Sequence, residues 1–189
     1  MAVENKIDIN IFKIVTKAIA ESNDLVIMAN HLTQLLVSAL EIKGCTLFAL
    51  NSVTRELEVL ASFGMSINYM NKGPVVFDKS IGCIKEKESI VIKNIANSNL
   101  LQYPDEAKNE GIAAIISLPI LFYGDIVGAL RLYHYEEWDI SDQDLDSLLL
   151  LAENIGLAMM YTRLLNVVQT IQDTVMEFPM EFNQQAKIE

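Results

Sequence analysis

A chain of 189 residues, 51% of them hydrophobic, carries enough apolar side chain for one packed domain and too much for wholesale disorder. Fourteen basic residues against 25 acidic ones leave a net charge of −11, which excludes the basic footprint of a nucleic-acid binder and opposes docking on an anionic membrane surface. Cys45 and Cys83 lack CxxC spacing and a nearby histidine, which excludes a disulfide framework and predicts buried reduced thiols in a cytoplasmic protein.

The first residues show no apolar signal region, and the longest nearly apolar run, 112–123, contains a proline and is too short to span a bilayer. No membrane association is expected. Ile11, Ile14, Val15, Ala18 and Ile19 recur at helical spacing after Asp8, a candidate N-cap, and predict a first helix. Ser22-Asn23-Asp24 stops it and restarts a second, marked by Leu25, Met28, Ala29, Leu32, Leu35, Leu36 and Leu40, with Gly44 as its expected terminator. Strands are predicted over 45–50 and 57–63 across a polar turn. Alternation of Leu57, Val59, Ala61 and Phe63 buries one face of the second strand.

Residues 64–74 read as irregular, 75–77 as a short strand, 80–88 as a short helix and 89–95 as another strand. The polar run 96–110 reads as a long connection with one helical turn, of the kind that serves as a lid or binding loop. Residues 111–134, GIAAIISLPILFYGDIVGALRLYH, are two strand-length apolar runs around a two-residue turn at Gly124-Asp125. That turn pairs Leu118 with Arg131 and Pro119 with Leu130. Ala129, Arg131 and Tyr133 then share a face with Ile116, Leu118 and Ile120, while Ser117 faces the other way. Pro119 cannot donate to a ladder, so its strand needs a gap or bulge there, and Gly128 permits close approach of another backbone or helix.

Ser141-x-x-Asp144 has capping-box character and opens a helix carrying Leu145, Leu148, Leu149, Leu151, Ala152 and Ile155. Leu157, Tyr161, Leu164, Val168, Ile171, Val175 and Phe178 continue at alternating steps of four and three, a heptad seam that needs a partner surface. A homodimer through this seam is expected; the alternative is a seam packed back on its own domain. Pro179 ends the helix, and 179–189 read as a flexible tail.

Gly111, Ser117-Leu118-Pro119-Ile120, Gly124, Gly128-x-Leu130-x-Leu132, Trp138, Ser141-Asp142, Leu148 and Leu151-Ala152 together resemble the C-terminal signature of the GAF family of sensor domains. With the element order, the resemblance spans about residues 8–165. It implies an α+β fold (an α/β sandwich): a central antiparallel sheet with helices on one face, pocket loops on the other and a long C-terminal helix. The implied division is a sensor domain over 1–165, a coiled-coil-like extension over 157–178 and a tail over 179–189.

The resemblance also implies a non-catalytic, small-molecule-binding domain, without a resident cofactor or metal, that signals as a homodimer to an output protein such as a kinase or regulator. It places the pocket on the face of Arg131, under 64–81 and 96–110. Arg131, Tyr133, Ala129, Leu118, Ile116, Phe77, Tyr103 and Tyr69 are its expected lining. A guanidinium on a core strand needs a partner, and Arg131 reads either as the anchor of a ligand carboxylate or phosphate or as the partner of Asp105 or Glu106.

The haem-binding relatives' histidine before the hairpin and the phytochrome-like Cys-His pair are both lacking. The Asn-Lys-x-Phe-x-Asp-Glu pattern of cyclic-nucleotide binders is replaced by His134-Tyr135-Glu136-Glu137-Trp138-Asp139. His31 and His134 are too far apart in sequence for a metal signature. The rival readings are a dimerisation module without ligand, a thiol-based enzyme using Cys83, and a PAS-like sensor.

Overall fold

The computed structural model describes residues 7, 9–22, 24–79 and 87–177. Asp8, Asn23, Phe178 and Pro179 fall outside the described residues, as do most of the expected helix at 80–88 with Cys83 and the expected tail at 179–189. The periodic apolar positions at the start of the chain fold as α1 (Ile9–Ala20) and α2 (Leu25–Leu40). Asp24 caps α2, its carboxylate accepting the Ile27 N–H at 2.9 Å and satisfying one of the first-turn donors. Glu41, in the left-handed conformation, ends this helix; Gly44 already belongs to the first strand.

Six strands form one antiparallel sheet: β1 (Gly44–Asn51), β2 (Glu56–Phe63), β3 (Val75–Val76), β4 (Ile90–Ile92), β5 (Ala114–Phe122) and β6 (Asp125–His134), in the order β3-β2-β1-β6-β5-β4. The alternation of β1 sorts its faces. Cys45, Leu47 and Ala49 join Leu130 and Leu132 of β6 in a core against α1, α2 and α5 (Asp142–Glu177). Phe48 points to the other face, which is covered by α3 (Ile67–Met70), α4 (Pro104–Asn109) and the connections around them. The fold is α+β, with helices on one face and loops on the other.

Two bulges decide which residues reach which face. The hairpin turn sits at Tyr123-Gly124, both at positive φ (49° and 78°), and Phe122 pairs with Asp125. Moving the turn by one residue shifts the pairing by two and preserves the faces. A bulge at Val127 then takes one residue of that shift back, leaving a net shift of one, since Leu121 pairs with Ile126 but Ile120 with Gly128. That single residue exchanges the faces of β5 relative to β6. Ser117 therefore pairs with Arg131, Ile115 with Tyr133 and Pro119 with Ala129. Ile116 and Leu118, expected in the pocket, pack instead among the helices.

A second bulge, at Leu60, splits β2. Leu57 is buried on the loop side and Ala61 on the helix side, while Val59 and Phe63 are exposed, so the single buried face expected for this strand does not form. Pro119 lies beyond the end of β4, which pairs only with Ile115–Ser117, so its missing donor breaks no ladder there. Gly128 is a close approach: a Cβ would lie 2.2 Å from the Phe48 carbonyl oxygen.

Ser141 caps α5 by accepting the Asp144 N–H at 3.0 Å, and the Asp144 carboxylate accepts the Ile7 N–H at 2.9 Å, tying the N-terminal segment to the exit helix. Leu148, Leu151, Ala152, Ile155 and Met159 bury one stripe of α5 against the sheet. The helix then runs on past the core, to 36 residues and a length of about 54 Å. By length and composition α5 is the one helix among the described residues that suffices to cross a membrane, and its first half is the core helix of the domain.

Candidate functional site

Arg131 sits in the middle of β6 with 4% of its surface exposed. Its cross-strand neighbours are polar on both sides, Thr46 on β1 and Ser117 on β5, and Thr46 in turn pairs with Ser62 on β2. A polar row thus crosses four strands on the loop side of the sheet. It divides the apolar lining in two, with Tyr69, Ile115 and Tyr133 in one cluster and Phe48, Phe77 and Ala129 in the other.

The Arg131 guanidinium lies 5.0 Å from the Phe48 ring centroid. Tyr133 hydrogen-bonds with Thr46 and Arg131; burial raises its hydroxyl, and the Arg131 charge opposes that rise. The hydroxyls of Thr46 and Ser62 are 2.8 Å apart. Ser117 Oγ is buried with no hydrogen-bond partner.

The roof over this row is held by specific bonds. Ser66 caps α3, accepting the Tyr69 N–H at 3.1 Å, and is held in turn by the Glu110 carboxylate, which accepts from its N–H and its hydroxyl. Tyr69 descends edge-on to Tyr133, with ring centroids 5.8 Å apart at 84°. Lys72 donates to the Tyr69 carbonyl at 3.0 Å, and its ammonium lies 3.9 Å from the Tyr69 ring centroid. Burial, then the Arg131 charge, lowers the Lys72 ammonium to about 8, with Glu106 and Glu110 opposing.

The Pro74 carbonyl accepts from the Tyr103 hydroxyl at 2.8 Å and from Gln102 Nε2 at 3.0 Å, while Gln102 Oε1 accepts the Val76 N–H at 3.2 Å. These three bonds clip one roof segment to the other. Gly73, at φ +127°, lets the Tyr103 hydroxyl pass where a Cβ would lie only 2.6 Å from it.

Between roof and sheet lies a cavity of about 10 Å³, walled by Tyr69, Lys72, Gln102, Tyr103 and Arg131 among others. It has room for about one water. Of the lining expected from sequence, Arg131, Tyr69 and Tyr103 meet at this gap, and Tyr133 lies beneath Tyr69. Ala129 and Phe77 belong to the adjoining apolar cluster, and Ile116 and Leu118 are on the opposite face. Asp105 and Glu106 are exposed on α4.

Sequence reading did not single out Thr46, and it assigned Ser117 to the wrong face. Thr46 stands as one polar residue in an otherwise apolar strand, a signal of the same kind that Arg131 gives. Lys72, beside a Gly-Pro pair, carries no such signal.

Outside this site, Cys45 is sealed on the helix side and burial pushes its thiol far up. His134 Nδ1 accepts the Glu136 N–H at 3.0 Å, and its ring packs against Tyr135 and Trp138. No group of His, Cys, Asp or Glu among the described residues is arranged to hold a metal ion. A groove of about 750 Å³ runs between α1 and α2, walled by Ile14, Ala18, His31, Leu35 and Phe63. Leu157, Tyr161, Leu164, Val168, Ile171 and Val175 on α5 are 43–66% exposed.

Comparison with known proteins agrees with this architecture. The family model for the GAF domain matches residues 24–159, and the chain belongs to the GAF domain family. The fold is similar to the GAF domain of a phosphoenolpyruvate-protein phosphotransferase from Coxiella burnetii, with TM-score 0.73, 20% identity and coverage of 84% of this chain and 98% of that one. It is similar to the corresponding Acinetobacter domain, with TM-score 0.72, 14% identity and coverage of 82% and 93%. Free methionine-R-sulfoxide reductase from Neisseria meningitidis, solved with its substrate, gives TM-score 0.69, 14% identity and coverage of 86% and 95%. No curated protein sequence matches the chain.

Proposed function

We propose that this chain is a cytoplasmic sensory or regulatory GAF domain that takes a small molecule beneath the roof and reports it through paired exit helices to an output such as a kinase or regulator. The observation that carries this reading is buried Arg131 at the centre of a polar row. A scaffold gains nothing from a charge there, because a well-packed apolar residue of similar volume is often as stable or more so. The phosphotransferase relatives support a regulatory role, since their GAF domains are parts of larger proteins.

Ligand entry requires the Pro74 clip to open, and a ligand that favours the open arrangement shifts the population toward it. The seam residues of α5 supply the surface for a second copy, with the sensor unit over 1–165, the coiled-coil-like extension over 157–178 and the tail over 179–189. The reading is non-catalytic. The same fold carries an enzyme in the Neisseria reductase; Cys45 is sealed in the core and does not supply a thiolate, and Cys83, the thiol of the enzyme reading, lies outside the described residues.

The water-sized gap favours a second reading, a dimerisation module whose pocket is filled by its own Tyr69 and Tyr103. Mass spectrometry of small molecules released from the purified full chain, repeated on Arg131→Met, separates the two. A molecule carried by the wild type and lost from the variant supports the sensor. Protein that releases nothing, and is stabilised by nothing in a metabolite screen, leaves the dimerisation module.

A further inference from the structure

We infer that α5 pairs with α5 of a second copy of this chain as a parallel, two-stranded coil that begins at Leu150, inside the domain, and that Asn154 fixes its register. This deepens the dimeric part of the sensor reading and rests on it. The heptad seam read from Leu157 onward starts one heptad earlier in the structure. Leu150 is 51% exposed and Asn154 is exposed, although Leu148, Leu151, Ala152 and Ile155 around them are buried against the sheet. Over the same turns α5 thus presents one stripe to its own core and a second one away from it.

From Leu150 to Val175 the steps of four and three alternate without a break. Leu150, Leu157, Leu164 and Ile171 fall at the d positions of the heptad, and Asn154, Tyr161, Val168 and Val175 at the a positions. Leucine at d with β-branched residues at a favours two parallel strands. Asn154 is the one polar residue in this set, and a single asparagine at a specifies register and strand number at a cost in stability. In a parallel, in-register pair it meets its own copy. Sliding by one heptad sets it against Tyr161, and reversing one helix sets it against an apolar core position, where a buried amide lacks its partner. Its Nδ2 donates to the Leu150 carbonyl at 2.8 Å; an asparagine amide has a second N–H and an acceptor oxygen to offer across the pair.

Charge selects a like partner. At a net charge of −11, two copies repel each other over most of their surface. The positions that flank the seam from Asn154 to Val175 hold Ala158, Met160, Leu165, Val167, Gln172 and Thr174, none of them charged, so this face meets its own copy without repulsion. From Arg163 to Met176 every residue of α5 is exposed, and this stretch stands clear of the domain. A helix of about four turns is marginal in water unless it packs. Where the seam enters the domain, the hairpin tip adds a wall beside it. Leu121, Phe122, Tyr123 and Gly124 enclose with Glu153 and Leu157 a groove of about 460 Å³, and Tyr123 is 94% exposed. The second helix passes along this flank.

Sedimentation and cysteine cross-linking on the full chain test the proposal. Leu150 and Val175 lie about 38 Å apart along the helix, far beyond the reach of a disulfide. Sedimentation is expected to give the mass of two chains. Leu150→Cys and Val175→Cys, each alone, are expected to form linked dimers under mild oxidation, above whatever the unaltered chain forms through Cys45 and Cys83. A mixture of the two variants is expected to give no link between residues 150 and 175. Asn154→Leu, placed in both cysteine variants, is expected to tighten the dimer about tenfold and to lose the single arrangement, seen as links between residues 150 and 175 or as a mass above two chains.

Links between 150 and 175 without Asn154→Leu mean an antiparallel pair and overturn the proposal. Self-linking of Val175→Cys without that of Leu150→Cys overturns the start inside the domain, and unchanged mass, affinity and links in Asn154→Leu overturn the role of Asn154. A wild-type mass of one chain without cross-links overturns the pair altogether; a small molecule still released by that chain leaves the ligand part of the sensor reading standing.

Discussion

At the scale of single residues, the loop-side face is governed by charges and hydroxyls placed where apolar packing would be cheaper. The Lys72 ammonium, lowered to about 8 from its ordinary 10.5, binds its proton more weakly in the folded than in the unfolded chain. Between these values the unfolded chain carries more protons, so stability rises with pH across that window. Tyr69 and Tyr133 work the other way. Burial raises both hydroxyls above the ordinary 10.0, so the unfolded chain loses phenolic protons first and stability falls beyond that pH. Urea midpoints measured from pH 7 to 11 are expected to climb from about 8, peak near 10 and then decline. Lys72→Met is expected to flatten the climb and keep the decline; a climb of equal height in the variant assigns it to another group. Arg131 was legible in the sequence because one cation interrupts an apolar alternation. Ser117 was misplaced because the bulge at Val127 carries no residue that announces it, and Lys72 was invisible because its partners come from segments remote in sequence.

At the scale of elements, α5 does two jobs along one continuous helix. Its first half buries Leu148, Leu151, Ala152 and Ile155, and its second half exposes an apolar seam that a single chain leaves in water. The seam residues at the two-helix positions are flanked by Leu165 and Val167, which are also exposed, so the apolar stripe is wider than the narrowest coiled-coil seam. Leu164→Asp combined with Ile171→Asp is expected to reduce the mass seen by light scattering to that of one chain while the circular dichroism stays folded. Leu148→Asp, at a fully buried position, is expected to lose the fold. An unchanged mass in the double variant removes this seam from the interface. Periodicity made α1, α2 and α5 legible, since each repeats its apolar positions over three turns or more. The four residues of α3 are too few to show a period, and β4 shrank to three residues because only Ile115–Ser117 is available to pair with it.

At the scale of the whole molecule, β5 and β6 are shared between two surroundings of different strength. Ile116, Leu118, Leu130 and Leu132 knit them to α5 and the other helices through one continuous core, while Ser117, Arg131 and Tyr133 face a roof held by a few hydrogen bonds over a divided one. Local opening follows the weaker side, because sparse apolar contact makes a segment cheap to detach. The same two strands carry both surfaces; under the sensor proposal, a ligand with different affinity for the open and closed roof shifts the roof toward the arrangement it prefers. Tyr103→Phe isolates the first step. It deletes one of the two donors to the Pro74 carbonyl and leaves the ring, so the closed roof loses about 1 kcal/mol and opens several-fold more often. Hydrogen exchange is expected to quicken at the amides of residues 71–76 and stay unchanged at those of β6 that pair with β1. Faster exchange at both places would mean that roof and sheet open as one unit, and the opening assigned to the Pro74 clip would have to move to the strands themselves.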